Sequence, residues 1–207
     1  MASRRDRERK PGRRVPFREP KLTILIVCEG SVSEPEYFKG FLQICRNPRV
    51  TIQIAGGQGV PLTVVRKAKE LKEAAVRRSK QERDENIKFD SVWCVYDIDD
   101  HPHQHEAWEM AIANNIDLAV SNPCFELWLL LHFRDSPGAI DRADLRSMLK
   151  QFDPDYDKHV SHSNYTKEYD NAFVRATRME ESAVDRGEAG GNPSTAVYKL
   201  TEVIRNR

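Results

Sequence analysis

The segment Leu22–Cys28, Leu-Thr-Ile-Leu-Ile-Val-Cys, limits what this chain can fold into. It is apolar at nearly every position rather than at alternate ones, so a strand built from it must be covered on both faces. That is the environment of a central strand in a parallel sheet with helices above and below. Glu29 and Gly30 follow at once, and Ser33 with Glu36 has capping-box spacing, with Pro35 suited to a first helical turn. The carboxyl edge of such a sheet is where open α/β proteins bind ligands. Glu29 is therefore either a solvated loop residue or a site carboxylate.

The same unit recurs along the chain. A helix is expected over 34–45, ended by Asn47-Pro48, then an alternating strand over 50–55. Gly56, Gly57 and Gly59 lack the spacing of a phosphate loop and read as a turn. A long helix over 61–85 carries Val64, Val65, Ala68, Leu71, Ala75 and Val76 as a stripe, and its second half is almost wholly charged. A third strand over 91–96, apolar on both sides, runs into Asp97-Ile98-Asp99-Asp100. A helix over 104–114, a strand over 117–120 and a buried helix over 124–133 complete a β-α-β-α-β-α-β-α order. The expected fold is α/β, with about four mainly parallel strands flanked by helices. Beyond Ser136 the pattern weakens to helices over 142–150 and 171–185, a loop over 153–164 and a glycine-bearing loop over 186–192. A last helix follows, for which Ser194 can serve as N-cap.

If the first and third strands are neighbours, about 4.8 Å apart, Glu29 and the Asp97/Asp99 pair meet at one sheet edge. Strand alternation puts Asp97 and Asp99 on one side, with Ile98 turned away. Three carboxylates there suit one or two Mg²⁺ (or Mn²⁺) ions, which take hard oxygen ligands. Two such ions about 4 Å apart can clamp a phosphodiester. Glu29 would then be a ligand or the general acid/base. Asp100 extends the acidic run. Glu126 and His132 are the polar groups of the buried helix, six apart and so on different faces; Glu126 is a site contact or a satisfied buried carboxylate. His101, His103 and His105 alternate in a way that fits neither a helical zinc pair nor a zinc knuckle, which favours a polar loop.

At 207 residues one domain over 21–207 is expected, preceded by a basic, disordered arm over 1–20. The first twenty residues hold eight Lys/Arg, among them Arg4, Arg5, Arg13 and Arg14, against three acidic residues. They have almost nothing apolar to fold around, so they read as a nucleic-acid-binding tail or a solubilising terminus. No apolar run approaches the roughly 20 residues of a membrane span, and the start lacks a signal-peptide core, which points to the cytoplasm. Cys28, Cys45, Cys94 and Cys124 are scattered without a CxxC pair and read as inert thiols.

Taken together, VCEG, SEPEYF, VYDIDD, SNPCFELWLLLHF and NPSTAVYKL, in that order between about Arg18 and Ile204, resemble the RloB-like proteins. These are prokaryotic proteins of restriction-linked and phage-defence loci with a TOPRIM-like fold. The resemblance implies a Mg²⁺-dependent nuclease in which Glu29, Asp97 and Asp99 match the TOPRIM glutamate and Asp-x-Asp. It also implies action on DNA or RNA and an AAA/ABC-type ATPase partner, since no Walker motif is present here. The family's Glu/Lys-x-Thr-Glu-Pro stretch stands here as Ser31-Val32-Ser33-Glu34-Pro35, with Ser33 in the threonine's place. The alternative is a non-catalytic regulatory or nucleotide-binding subunit of a defence complex, and assembly with further copies of the chain is open under either reading.

Overall fold

The computed structural model describes residues 22–54, 60–98 and 103–206. The basic arm, the glycine cluster, Asp99, Asp100 and His101 lie outside them. β1 (Ile24–Cys28), α1 (Ser33–Cys45), β2 (Val50–Ile54), α2 (Pro61–Glu82), β3 (Ser91–Asp97), α3 (Gln104–Ala113) and β4 (Asp117–Asn122) alternate as the periodicity predicts. After them come α4 (Glu126–Leu131), α5 (Arg142–Leu149), α6 (His162–Thr166), α7 (Tyr169–Asp185), β5 (Ser194–Thr195) and α8 (Val197–Asn206).

The sheet order is β2-β1-β3-β4-β5. β1 runs parallel to both β2 and β3, and β3 parallel to β4. Only β5 is antiparallel, with Ser121 opposite Thr195 and Asn122 opposite Ser194. The expected α/β sheet is present with a fifth, two-residue strand added. A strand that short carries no period to read, and its residues were assigned instead to the start of the last helix. In the structure Ser194 belongs to β5, and it is Thr195 Oγ1 that accepts from Val197 N, the first residue of α8, at 3.4 Å.

All five residues of β1 are buried, and alternation divides them between two cores. Ile24, Ile26 and Cys28 join Trp93 and Val95 of β3 against α1, α4 and the C-terminal helices. Leu25 and Val27 join Val92, Cys94 and Tyr96 against Val64, Val65 and Ala68 of α2 and Ala107 and Ala111 of α3. Burying a large aliphatic side chain contributes about 1.5–3 kcal/mol, so the double covering of β1 and β3 is the fold's main stabilising feature. Cys28, Cys94 and Cys124 are buried free thiols, and burial pushes all three up in pKa, in keeping with inert core residues.

The Ser33–Glu36 capping box does not form. Val32 occupies the N-cap of α1 without a side-chain bond, and Ser33 is already helical. Its hydroxyl donates to the Lys158 carbonyl at 2.8 Å and lies 3.1 Å from the Tyr156 hydroxyl. Glu36 accepts from Val160 N at 2.9 Å and pairs with His159 at 2.8 Å. A long-range partner has taken both side chains from their local roles, and the 153–164 stretch, which ends in the first residues of α6, is thereby docked on α1.

His132, just past α4, is 1% exposed within a cage of aromatic rings. Its Nδ1–H donates to the Trp128 carbonyl at 2.9 Å, so Nε2 accepts from the Tyr37 hydroxyl at 3.3 Å. Burial lowers its pKa from 6.5 to about 4. As pH falls below 6.5 the unfolded chain therefore binds a proton that the folded chain refuses. Stability is lost down to about pH 4, by about 3 kcal/mol in all. Denaturant unfolding of native protein and His132→Gln across that window should show a native slope steeper by about one proton. Parallel slopes would show that His132 is not neutral in the folded state.

Candidate active site at the carboxyl edge of the sheet

The parallel register Cys28↔Val95 brings the ends of β1 and β3 together. The chain leaves β1 still bonded to β3, with Glu29 N donating to the Val95 carbonyl at 2.9 Å. The Glu29 side chain turns back, and its Oε2 accepts from Asp97 N at 3.1 Å. Glu29 and Asp97, proposed from sequence as partners, are thus joined through a backbone amide. Asp99 and Asp100 lie outside the described residues.

Two further carboxylates complete the cluster. Glu34, in the first turn of α1, is 7% exposed, and its Oε1 accepts from Gly30 N at 3.3 Å. A Cβ at residue 30 would stand 2.1 Å from Glu34 Oε2, so only glycine lets this carboxylate lie against the turn. Glu126 opens α4 and is 4% exposed. Its Oε1 accepts from Arg146 Nε at 2.8 Å and from the Tyr156 hydroxyl at 3.2 Å. Alternation along β3 sets Asp97 on the face of Trp93 and Val95, which is the face α4 and α5 cover. There Arg142 Nη2 stands 3.7 Å from Asp97 Oδ2, while Arg142 Nε donates to the Pro123 carbonyl at 3.0 Å.

These groups do not titrate alike. Burial pushes Asp97 well above the ordinary carboxylate range; Glu34, Glu126 and Glu29 push it further, and Arg142 opposes them. Glu34 is raised by burial and by Glu126. Burial would raise Glu126 too, but the Cys124 thiol and Arg146 more than offset it and leave the group lowered. Burial and the neighbouring carboxylates thus favour the protonated form of Asp97 and Glu34, while Glu126 is held ionised.

Among the described residues no three His, Cys, Asp or Glu side chains form a ready-made metal cage. Mg²⁺ does not need one, because it keeps several waters and takes one or two carboxylates plus substrate phosphates. The donor chemistry fits: hard oxygens only, short of positive charge, centred on Asp97 and Glu29.

His103 and His105 are exposed and pair with Glu106 and Glu109 of their own helix, each at 3.2 Å. His132 has both ring nitrogens engaged in the aromatic core, apart from the carboxylates. A cavity of about 270 Å³ lined by Phe41, His162 and Tyr169 includes none of the site carboxylates. Glu34, Arg142, Arg146 and Tyr156 were not singled out as site residues from sequence. Glu34 lies inside a quoted motif, whereas the other three carry no local signal.

A family model described as RloB-like protein matches residues 24–204. Comparisons with curated proteins and with solved structures returned no match. The matched span runs from β1 into α8 and takes in every residue of the cluster. On that match, the chain belongs to the RloB-like family.

Proposed function

We propose that this protein is a Mg²⁺-dependent nuclease of TOPRIM type, in which Glu29, Asp97 and Asp99 hold the metal and nucleic-acid phosphodiesters are cleaved. The reading extends to a role in prokaryotic antiphage defence beside an ATPase partner, as the family resemblance implies. One observation carries it: Glu29 and Asp97 share a sheet edge, bonded through the Asp97 amide, with Glu34 and Glu126 closing a buried carboxylate cluster around Asp97.

When bound, Mg²⁺ supplies positive charge for the oxygens on which negative charge develops. The chain's own residues do the rest. The Asp97 amide fixes the orientation of Glu29, so this carboxylate can accept a proton from an attacking water at a set position. Glu34, raised by burial, is the member of the cluster suited to hold a proton while its Oε1 accepts from Gly30. Glu126 remains ionised through Arg146 and keeps that guanidinium in place at the site. In the overall step one phosphorus–oxygen ester bond breaks, the water oxygen bonds to phosphorus, and its proton passes to the leaving oxygen.

Incubating DNA and RNA with Mg²⁺ or Mn²⁺, alone and with a candidate ATPase partner, tests this directly. Glu29→Gln and Asp97→Asn should each reduce cutting at least about 100-fold while remaining folded. Cutting that survives both would remove the assignment.

Stability supplies a test that needs no turnover. Because Asp97 is raised in the folded state, its favourable contribution is present below the ordinary carboxylate range and is lost as pH rises through the folded value. At neutral pH in chelator, Asp97→Asn should therefore melt a few degrees above the native chain, as about 1 kcal/mol produces at this size. The gap should close toward acidic pH, and Mg²⁺ should raise the melting temperature of the native chain alone. A variant that melts no higher, together with a native chain indifferent to Mg²⁺, would contradict both the buried charge and the metal site.

A further inference from the structure

The carboxylate cluster is bordered by three cations, two on α5 and one on the loop docked on α1. Arg142 and Arg146 are four apart on α5 and share a face. The first stands 3.7 Å from Asp97 Oδ2, and the second donates to Glu126 Oε1 at 2.8 Å. Their side chains are 33% and 41% exposed, so each touches a site carboxylate and can still be approached from solvent. Lys158 comes from the loop docked on α1 and brings its positive charge to bear on Glu34. It is exposed, and among the described residues no carboxylate is in ion-pair contact with it.

The Lys158 backbone is unusual. Its φ of 85° lies in the left-handed region that a residue with a Cβ rarely enters. Such a conformation persists only where its surroundings impose it, and here the Ser33 hydroxyl holds the Lys158 carbonyl at 2.8 Å. The Ser33 hydroxyl therefore ties the Lys158 backbone to the first turn of α1, the turn that also carries Glu34.

We infer that Arg142, Arg146 and Lys158 form the phosphate-binding rim of the site, and that its substrate is a polynucleotide strand rather than a mononucleotide. This rests on the nuclease reading for the identity of the substrate. Arg142 and Arg146 lie on one side of the cluster and Lys158 is carried by a different segment, so together they can hold successive phosphates of one chain. The guanidinium forks suit phosphate oxygens as well as they suit carboxylates.

Fluorescence anisotropy with short phosphorothioate DNA and RNA strands, which resist cutting while keeping their charge, measures this in Mg²⁺ on the full chain. The native chain should bind with affinity that falls steeply between roughly 50 and 200 mM salt. Arg142→Met, Arg146→Met and Lys158→Met should each flatten the log–log salt slope by about 0.7 and weaken low-salt binding roughly five- to tenfold. Arg146→Lys should retain the slope. Lys158→Met removes no ion pair, so it keeps the test open if an arginine variant folds poorly. Unchanged slope and affinity in Lys158→Met and Arg142→Met would overturn the rim, as would a native chain that binds no strand. Displacement of the strand by a nucleoside monophosphate at comparable concentration would overturn the substrate class. Because the readout is binding, a rim that stands without any cutting counts against the nuclease reading alone, and cutting with unaltered slopes counts against the rim alone.

Discussion

The parallel pairing of β1 with β3 is the constraint from which the rest of the structure follows. Both strands are buried on both faces, so helices must cross over each side of the sheet, and those crossovers align the carboxyl ends of all four long strands at one edge. Any carboxylate just past β1 or β3 then has its counterpart within one strand spacing. The Asp97 amide fixes that proximity by donating to Glu29. A strand inserted between them would separate the pair and leave two unrelated acidic loops.

Proximity alone would be unfavourable, because buried carboxylates repel one another and lose hydration. The C-terminal half of the chain resolves this for one group and not for another. Arg146 approaches Glu126 to 2.8 Å, with Tyr156 and Cys124 adding hydrogen bonds, and Glu126 stays charged. Arg142 stands 3.7 Å from Asp97, its Nε taken by the Pro123 carbonyl, and Asp97 stays raised by its burial and by Glu34 and Glu126. The same helix therefore pairs closely with Glu126 and stands at longer range from Asp97. On the proposed metal site, that asymmetry leaves Asp97 with more to gain from an ion than Glu126 has.

How much of this could be read from sequence depended on how local the cause was. β1 and β3 were plain from their unbroken apolar runs, and Glu29 and Asp97 from standing directly after them. Ser33 and Glu36 have the spacing of a local cap, and the local reading failed because partners more than 120 positions away bind them instead. Arg142 and Arg146 sit on a short amphipathic helix that looks ordinary, and their relation to Asp97 and Glu126 exists only once α5 packs beside α4. Pattern reading sees neighbours three or four apart; it has no access to contacts made across 20 to 45 residues. β5 was missed because two residues cannot establish a period, and its pairing with β4 is a tertiary fact.

The placement of charge separates the two functional readings more sharply than fold or family does. A subunit that merely grips a nucleotide or nucleic acid would put cations at the centre of its pocket, where the phosphates must lie, and any carboxylates at the margin for the sugar or base. Here the order is reversed. Glu29, Asp97, Glu34 and Glu126 occupy the centre, partly or wholly buried, while Arg142, Arg146 and Lys158 stand around them with their side chains open to solvent. A phosphate drawn in by the rim would meet repulsion from the centre unless a cation lay between. The proposed nuclease, in which metal and substrate arrive together, turns both halves of that arrangement to use, and this is the geometric support for reading the site as one of phosphodiester chemistry rather than simple binding.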